Sequence, residues 1–419
     1  MYRLIEKVSG KAPSVLIILV SVLMLQVAGC SDSGSVGGGL PGTGSNVEVD
    51  SIDVTGTQIQ SLMPFSGSLP FISVGNVDDP LFGELSATGL LKPGLPEPPE
   101  DFNFGSKMTL RLVPNTEAPY GDTTATQQYN LVEIAELFRG NEVRLNDEIA
   151  LSNGPVVGSF TLQNEDSVDV SLSSDWVEKY GEFFTATGDD REENYIRQFF
   201  GLAIVPQNEA QVIAINQSAS RFIIPEDISD NTDGTVESEP DTVRAGIFQS
   251  AYTLDRTMSQ GVDTGTSLLY STFEQILKFD FDFLFQNLGS RNISRVELVF
   301  FRDNLALNQT LNQIAPDAQR PAVGSLRLYF LDPDELDARI GTATPVAAAE
   351  YNPDDKAYHF DLTGAVQTQV FNNEDPSFNF YVAVDQVTGV IGSTAIFNSQ
   401  AAPQNRPKII VTSINTENN

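Results

Sequence analysis

Acid-base or nucleophilic chemistry in this 419-residue chain would have to rely on one histidine, His359, and one cysteine, Cys30. A Ser-His-Asp triad needs an imidazole beside an activated serine, but His359 stands at the start of a predicted strand and the chain contains no Gly-x-Ser-x-Gly elbow. One histidine and one cysteine are also too few for a zinc finger, an iron-sulfur cluster or a multi-histidine metal centre. We therefore predict that the protein is not an enzyme. The enzyme class left open is a polysaccharide hydrolase or lyase, which needs only two carboxylates.

Aromatic and acidic residues are densest between residues 176 and 190. Trp176 and Tyr180 are followed by Asp189 and Asp190. A flat ring can stack on a sugar ring, and carboxylates accept hydrogen bonds from sugar hydroxyls, so these four residues form the predicted ligand-binding set for a glycan. The alternative, which we favour for the two rings, places them in the hydrophobic core beneath a loop.

Asp78 and Asp79 form a second candidate site, just before Pro80. Carboxylates and backbone carbonyls are the oxygen ligands that Ca²⁺ prefers, which makes Ca²⁺ the one candidate cofactor. The alternative is a turn that Asp and Pro fit without any metal.

The net charge is -32, with 24 Lys and Arg against 56 Asp and Glu. Such a surface repels phosphate groups, so the charge argues against nucleic acid and anionic lipid as partners. Two interpretations of the acidic excess stay open. It fits a surface adapted to concentrated salt, and it also fits a surface that binds Ca²⁺.

The N-terminal segment has the features of an export signal. A basic start precedes the apolar run Val15–Leu25, and Val27-Ala28-Gly29-Cys30 follows. The run is too short to cross a bilayer, which takes roughly 20 residues. The block resembles a bacterial lipobox, so we predict a lipoprotein signal peptide at 1–29, acylation of Cys30, and a Gly- and Ser-rich tether at 30–45.

Residues after the tether show short apolar alternations separated by Pro, Gly, Asn and Asp, which is typical of antiparallel strands. A weak internal repeat orders these alternations. The matched segments are 108–112 with 296–300, 168–172 with 360–363, 200–205 with 378–384, 213–218 with 395–399, and 221–224 with 408–411. Short helical segments are predicted at 132–138, 174–180 and 364–371.

These patterns predict an all-β protein with two tandem antiparallel β-sandwich domains of jelly-roll type. The predicted domains are 46–225 and 245–419. Between them lies an acidic linker, 226–244, which has no apolar face to bury.

The second repeat resembles the DNRLRE domain, a β-sandwich of secreted and surface bacterial proteins that is related to carbohydrate-binding modules. The resemblance rests on segments 276–281, 293–298, 360–363, 397–399 and 406–411. It implies a sandwich over roughly residues 245 to 414.

The first repeat and the whole layout resemble an uncharacterised family of Bacteroidota lipoproteins, known as a domain of unknown function. The residues concerned are Gly75 with Asp79-Pro80-Leu81-Phe82-Gly83, then Tyr120-Gly121-Asp122, then Phe199-Phe200-Gly201-Leu202. This resemblance implies an outer-membrane lipoprotein and no known reaction.

The sequence therefore predicts a protein anchored by lipid to the outer membrane, in either leaflet, that acts as a non-enzymatic binding or structural module. A glycan or an outer-membrane protein is the expected partner. The alternatives are a polysaccharide hydrolase or lyase, and an accessory subunit of an outer-membrane assembly.

Overall fold

The computed structural model describes residues 45–99, 102–186, 188, 190–226, 242–259, 262–279, 292–372, 379–385 and 388–416. The predicted signal peptide, Cys30, nearly all of the tether, most of the acidic linker and Asp189 lie outside these residues. Residues Val47–Ile414 form one compact unit. Among the described residues, no helix combines the length and the apolar character that crossing a membrane would require.

Antiparallel strands make up most of the described chain, and the predicted all-β sandwich class is confirmed. The strands up to the predicted linker are β1 (Ser45–Asp53), β2 (Thr57–Ser61), β3 (Phe71–Asp79), β4 (Gly83–Pro93), β5 (Thr109–Leu112), β6 (Tyr120–Asp122), β7 (Gln127–Glu133), β8 (Gly158–Leu162), β9 (Val168–Ser171), β10 (Leu202–Pro206), β11 (Gln211–Asn216) and β12 (Arg221–Pro225). The later strands are β13 (Thr242–Thr257), β14 (Thr266–Tyr270), β15 (Gln275–Phe279), β16 (Ile293–Phe301), β17 (Ala318–Gln319), β18 (Ser325–Leu331), β19 (Ala347–Asn352), β20 (Ala357–Asp361), β21 (Asn379–Val384), β22 (Ser393–Phe397) and β23 (Lys408–Thr416).

Helices are short and lie between strands. They are α1 (Ser174–Tyr180), α2 (Glu182–Thr185), α3 (Arg191–Gln198), α4 (Asn304–Ile314), α5 (Leu336–Arg339) and α6 (Thr363–Asn372). Segments α1 and α6 confirm two of the three predicted helices. The third prediction, at 132–138, is wrong, because β7 continues to Glu133 and Ile134 then bridges to Leu151. Five apolar residues in a short segment do not separate a helical period from a strand with irregular ends.

The strands form two large sheets and one hairpin-sized sheet within the described residues. The nine-stranded sheet has the order β1-β23-β16-β20-β19-β18-β21-β15-β2. Strands near both ends of this order contribute to one hydrophobic core, for example Leu298 and Phe300 from β16 with Leu277 and Phe279 from β15. The sheet therefore folds over on itself, and its two halves pack face to face as a sandwich.

The twelve-stranded sheet has β17-β6-β11-β3-β4-β13-β12-β5-β9 as its main path, and β10, β7 and β8 continue from β4. Its inward-facing residues form a second core that includes Leu85, Leu110, Leu131 and Leu202. Strands β14 and β22 pair separately.

The internal repeat is visible in the strand pairing. Strand β5 lies between β9 and β12, and β16 lies between β20 and β23 in the same way. Strand β10 pairs with β4 and β7, just as β21 pairs with β15 and β18. Helices α1 and α6 follow β9 and β20 at corresponding places. We define the first repeat as β3 to β12 and the second repeat as β14 to β23.

The strands that precede each repeat pair with the other repeat. Strands β1 and β2 come before the first repeat but pair with β23 and β15 of the second. Strand β13 comes before the second repeat but pairs with β12 and β4 of the first. Val54 accordingly packs in the second core, and Tyr252 packs in the first.

This reciprocal exchange runs across the predicted domain boundaries. A segment 46–225 lacks β13, and a segment 245–419 lacks β1 and β2. The number of domains stays a prediction, but the strands that complete each sheet come from both sides of residues 226–244.

The Asp-Pro-x-Phe-Gly segment forms the tight connection between β3 and β4. Gly83 has a φ of +86°, and a Cβ atom there would lie 1.9 Å from the carbonyl oxygen of Thr257. Phe82 is fully buried, so this motif has a structural role in the hairpin.

Candidate functional site

A pocket of about 760 Å³ lies at the end of β4 and is here called the Lys92 pocket. This volume is in the usual range for small-molecule sites. Its lining residues are Lys92, Pro93, Gly94, Leu95, Glu97, Leu137, Arg139, Gly188, Arg191, Glu192, Tyr195, Ile196, Phe248 and Gln249.

A β-bulge shapes one wall of the pocket. Across β4 and β13, Ile247 is opposite Pro93 and Gln249 is opposite Lys92, so Phe248 is an extra residue in β13. A bulge re-aims the extra side chain, and Phe248 is 72% exposed where the neighbouring strand positions are more covered.

Helix α3 forms the opposite wall. Arg191, Tyr195 and Ile196 recur at helical spacing and line the pocket together. The Tyr195 hydroxyl donates a hydrogen bond to the carbonyl oxygen of Pro93, which ties the helix to the end of β4. The Arg191 guanidinium donates to the carbonyl oxygen of Pro96 at 2.5 Å. Acidic residues in the first turn and Arg197 in the last turn complement the dipole of this short helix.

A third wall comes from the segment after β7. Leu137 and Arg139 line the pocket, and Gly140 packs directly on β13. A Cβ atom on Gly140 would lie 2.8 Å from the carbonyl oxygen of Ser250, so a glycine is needed for this close approach.

Lys92 forms the floor of the pocket and is 4% exposed. Its ammonium nitrogen lies 4.7 Å from the ring centroid of Tyr195 and 5.9 Å from that of Phe199. Among the described residues no carboxylate forms an ion pair with Lys92, and burial lowers the pKa of its amine. The Oε1 atom of Gln249 is buried and has no hydrogen-bond partner within the described chain.

Three apolar side chains lie at the rim of the pocket, beside the exposed charged residues Glu97, Arg139 and Glu192. Phe248, Leu137 and Ile196 all expose about half or more of their side chains to solvent. Exposed apolar side chains that surround a concave polar floor are typical of a ligand site. The arrangement suits a molecule with an apolar part for the rim and a polar or charged part for the floor.

The candidate glycan-stacking residues Trp176 and Tyr180 do not offer a ring face, because both lie in the hydrophobic core, as the favoured alternative has them. Trp176 is 2% exposed, and its ring packs 5.5 Å from Phe199 and 6.2 Å from Phe222. The Tyr180 hydroxyl donates to Glu133 Oε2 at 3.2 Å. Helix α1 begins at the Ser173 cap, whose side chain accepts a hydrogen bond from the backbone N–H of Trp176. The helix then buries one face, made of Trp176, Val177 and Tyr180.

The acidic residues beside that cluster have different outcomes. Asp189 is outside the described residues. Asp190 is exposed and precedes α3, whose next residues, Arg191 and Glu192, line the Lys92 pocket. Of the predicted ligand-binding residues that the structure describes, Asp190 is therefore the one that lies next to residues of the pocket.

Asp79 is fully buried and its carboxylate is saturated, which contradicts the predicted calcium site. Its oxygens accept hydrogen bonds from the Arg320 guanidinium, the Tyr120 hydroxyl at 2.7 Å, and the backbone N–H groups of Leu81 and Phe82 at 2.8 and 3.0 Å. Burial, together with the nearby Asp79 charge, raises the pKa of Tyr120 well above its usual value.

Asp78 is exposed and points away from this cluster of donors in the strand alternation. In the part of the chain that the structure describes, no group of three or more His, Cys, Asp or Glu side chains is placed to hold a metal ion.

His359 is on strand β20, and its ring lies between two carboxylates. Its Nδ1 is 3.2 Å from Glu297 Oε1, and its Nε2 is 2.6 Å from Asp355 Oδ2. Both ring nitrogens therefore have partners other than a serine, which agrees with the structural interpretation of this histidine.

Lys92, Phe248 and Gln249 were not among the predicted site residues. The sequence held one signal for Lys92, a charged residue that directly follows the apolar pair Leu90-Leu91 near the end of β4. The role of Phe248 depends on the register between β13 and β4, which the sequence does not show.

A search with protein-family models found no match to this chain, and a search of curated proteins found none either. The two family resemblances drawn from the sequence stay predictions.

Proposed function

We propose that this protein is an exported binding protein, anchored by lipid at Cys30, and that the Lys92 pocket holds its ligand without transforming it. The observation that carries the proposal is the combination of a buried cation without an anionic partner and an exposed apolar rim in one cavity. The pocket belongs to the folded unit, and the predicted tether would give that unit reach from the membrane.

The bulge at Phe248 supports a ligand role for this cavity. Exposing a large apolar side chain to water is unfavourable, and covering that side chain lowers the free energy. A residue needed for packing alone would be placed in the core, as Tyr252 is on the same strand. Phe248 instead projects over a cavity, where a bound molecule would cover it.

A second candidate function is the polysaccharide hydrolase or lyase left open by the sequence. Glu97 and Glu192 both line the pocket, and such enzymes act with two carboxylates. Release of new reducing ends or unsaturated products from alginate or laminarin oligosaccharides would favour this function over simple binding.

The proposal is tested with the full chain reconstituted in phosphatidylcholine nanodiscs, using water-soluble probes: octanoate, phenylacetate, and laminarin and alginate oligosaccharides. Binding is measured by calorimetry, with empty nanodiscs as background. We expect at least one probe to bind the unmodified chain and to bind Phe248→Ala at least about tenfold more weakly.

Leu305→Ala is the matched control, because Leu305 is 66% exposed on α4 and does not line the pocket. It should bind like the unmodified chain. Equal binding by Phe248→Ala and Leu305→Ala, or no binding of any probe, would reject the Lys92 pocket as the ligand site.

A further inference from the structure

We infer that the ligand of the Lys92 pocket is an amphipathic carboxylate, a molecule with one anionic head and an apolar chain or ring. This inference rests on the proposed function and specifies the chemistry of the ligand. The head would pair with the Lys92 ammonium on the floor, and the apolar part would lie against Phe248, Leu137 and Ile196 on the rim.

Lys92 differs from other buried cations in this protein in lacking a carboxylate partner among the described residues. Arg320 is held by both oxygens of Asp79, and Arg256 is held by both oxygens of Glu274. A buried charge without a counter-charge is strongly unfavourable, and these two arginines show how this chain meets that requirement. Lys92 is 4% exposed and lines the cavity, yet the groups that face its ammonium in the described structure are the rings of Tyr195 and Phe199. A ligand carboxylate in the cavity would supply the counter-charge that the described residues do not.

A second polar side chain lies beside the Lys92 ammonium in the pocket. Gln249 lies opposite Lys92 across the two strands, and its buried amide oxygen has no partner within the described chain. A side-chain amide can present either its oxygen or its NH₂ group after rotation. With the NH₂ group turned inward, Gln249 and Lys92 together supply two donors for the two oxygens of one carboxylate.

The aliphatic side chains at the rim favour a ligand with an apolar body over a sugar. Leu137 and Ile196 offer exposed aliphatic surface, and contact between this surface and a hydrocarbon is favourable. A sugar hydroxyl placed on the same surface would lose its hydrogen bonds to water and find no partner there. The net charge of -32 repels anions at a distance, so an anion must be recognised locally. Arg139 and Arg191 line the pocket, but Glu97 and Glu192 line it as well. The cation available to an anion is therefore the buried Lys92, which has no carboxylate partner among the described residues.

The test compares octanoate with octanamide, which has the same chain and no charge, and with an alginate trisaccharide, which has carboxylates and no apolar chain. The full chain in phosphatidylcholine nanodiscs is titrated with each probe. We expect octanoate to bind at least about tenfold more tightly than octanamide, and the trisaccharide to bind more weakly than either.

Lys92→Met removes the charge and keeps the length of the side chain. It should bind octanoate and octanamide equally, at the octanamide level of the unmodified chain. Lys179→Met is the control, because Lys179 also lies over a tyrosine ring, that of Tyr180, but outside the pocket. It should retain the preference for octanoate.

The outcomes are distinct. Equal binding of octanoate and octanamide by the unmodified chain, or a preference that survives Lys92→Met, overturns the carboxylate inference and leaves the pocket as a binding site. Tighter, Lys92-dependent binding of the trisaccharide replaces the amphipathic ligand with an acidic glycan. If no probe binds the unmodified chain, or if Phe248→Ala binds every probe as tightly as the unmodified chain does, the proposed function itself is rejected. Because the comparison of octanoate with octanamide needs no variant, the inference is tested even if Lys92→Met does not fold.

Discussion

Arg320 and Asp79 form a bidentate ion pair inside the protein, with Nε 2.6 Å from Oδ2 and Nη2 2.6 Å from Oδ1. Asp79 ends β3 in the first repeat, and Arg320 directly follows β17 in the second. The Tyr120 hydroxyl donates to the same carboxylate, so residues from two of the sequence motifs meet here. The pair joins the two repeats at a point that water does not reach.

Asp79→Ala should lower the free energy of unfolding by about 3–5 kcal/mol, because it leaves the Arg320 guanidinium buried without a counter-charge. Urea unfolding followed by circular dichroism measures the loss. Asp169→Ala is the control, because Asp169 forms a bidentate pair with Arg111 that is exposed. It should cost less than about 1 kcal/mol, and similar losses in the two variants would contradict the role of burial.

Binding of octanoate should weaken as the pH rises through the pKa of Lys92, because only the ammonium form attracts a carboxylate. Burial lowers this pKa, so the affinity should begin to fall at a lower pH than the ordinary lysine value of about 10.4 would give. Titrations from neutral to alkaline pH measure the effect. Octanamide binding should stay constant over the same range, and a fall of equal size in Lys92→Met would show that another group is responsible.

Cys30→Ala should release the protein from membranes, because it removes the predicted site of acylation. Cell fractionation measures the released fraction, and Ser31→Ala is the control that leaves Cys30 in place. Full retention of Cys30→Ala in the membrane fraction would refute the anchor.

A segment 71–257 should be more stable than a segment 46–225, although both contain the first repeat. The former includes β13, which pairs with β12 and β4, whereas the latter carries β1 and β2, whose partners are in the second repeat. Thermal unfolding of the two purified segments tests the difference. Comparable cooperative unfolding of 46–225 would mean that the exchanged strand is not needed.

Alternation of apolar and polar residues was enough to locate most strands and to detect the repeat. The segments 168–172 and 360–363, for example, correspond to β9 and β20, each of which precedes a helix. Alternation defines which face of a strand is buried but not which strand lies beside it, so the exchange of β1, β2 and β13 could not be predicted.

The candidate site was harder to predict for the same reason. Trp176 is conspicuous in the sequence as the single tryptophan, yet helix α1 turns it into the core. Phe248 is one phenylalanine among 26, and it becomes exposed only because β13 bulges against β4. Positions that depend on register between distant strands have no local signature.

The exchange of strands also governs when the chain can fold. A chain is synthesised from its N-terminus, so β1 and β2 are made first, but their partners β23 and β15 are made last or much later. Contacts between residues so far apart in sequence slow folding, because the long intervening segment must be ordered to form them. Strand β2 therefore stays unpaired until Gln275–Phe279 has been made, and β1 until Lys408–Thr416 has been made, so the nine-stranded sheet is completed only at the end of synthesis.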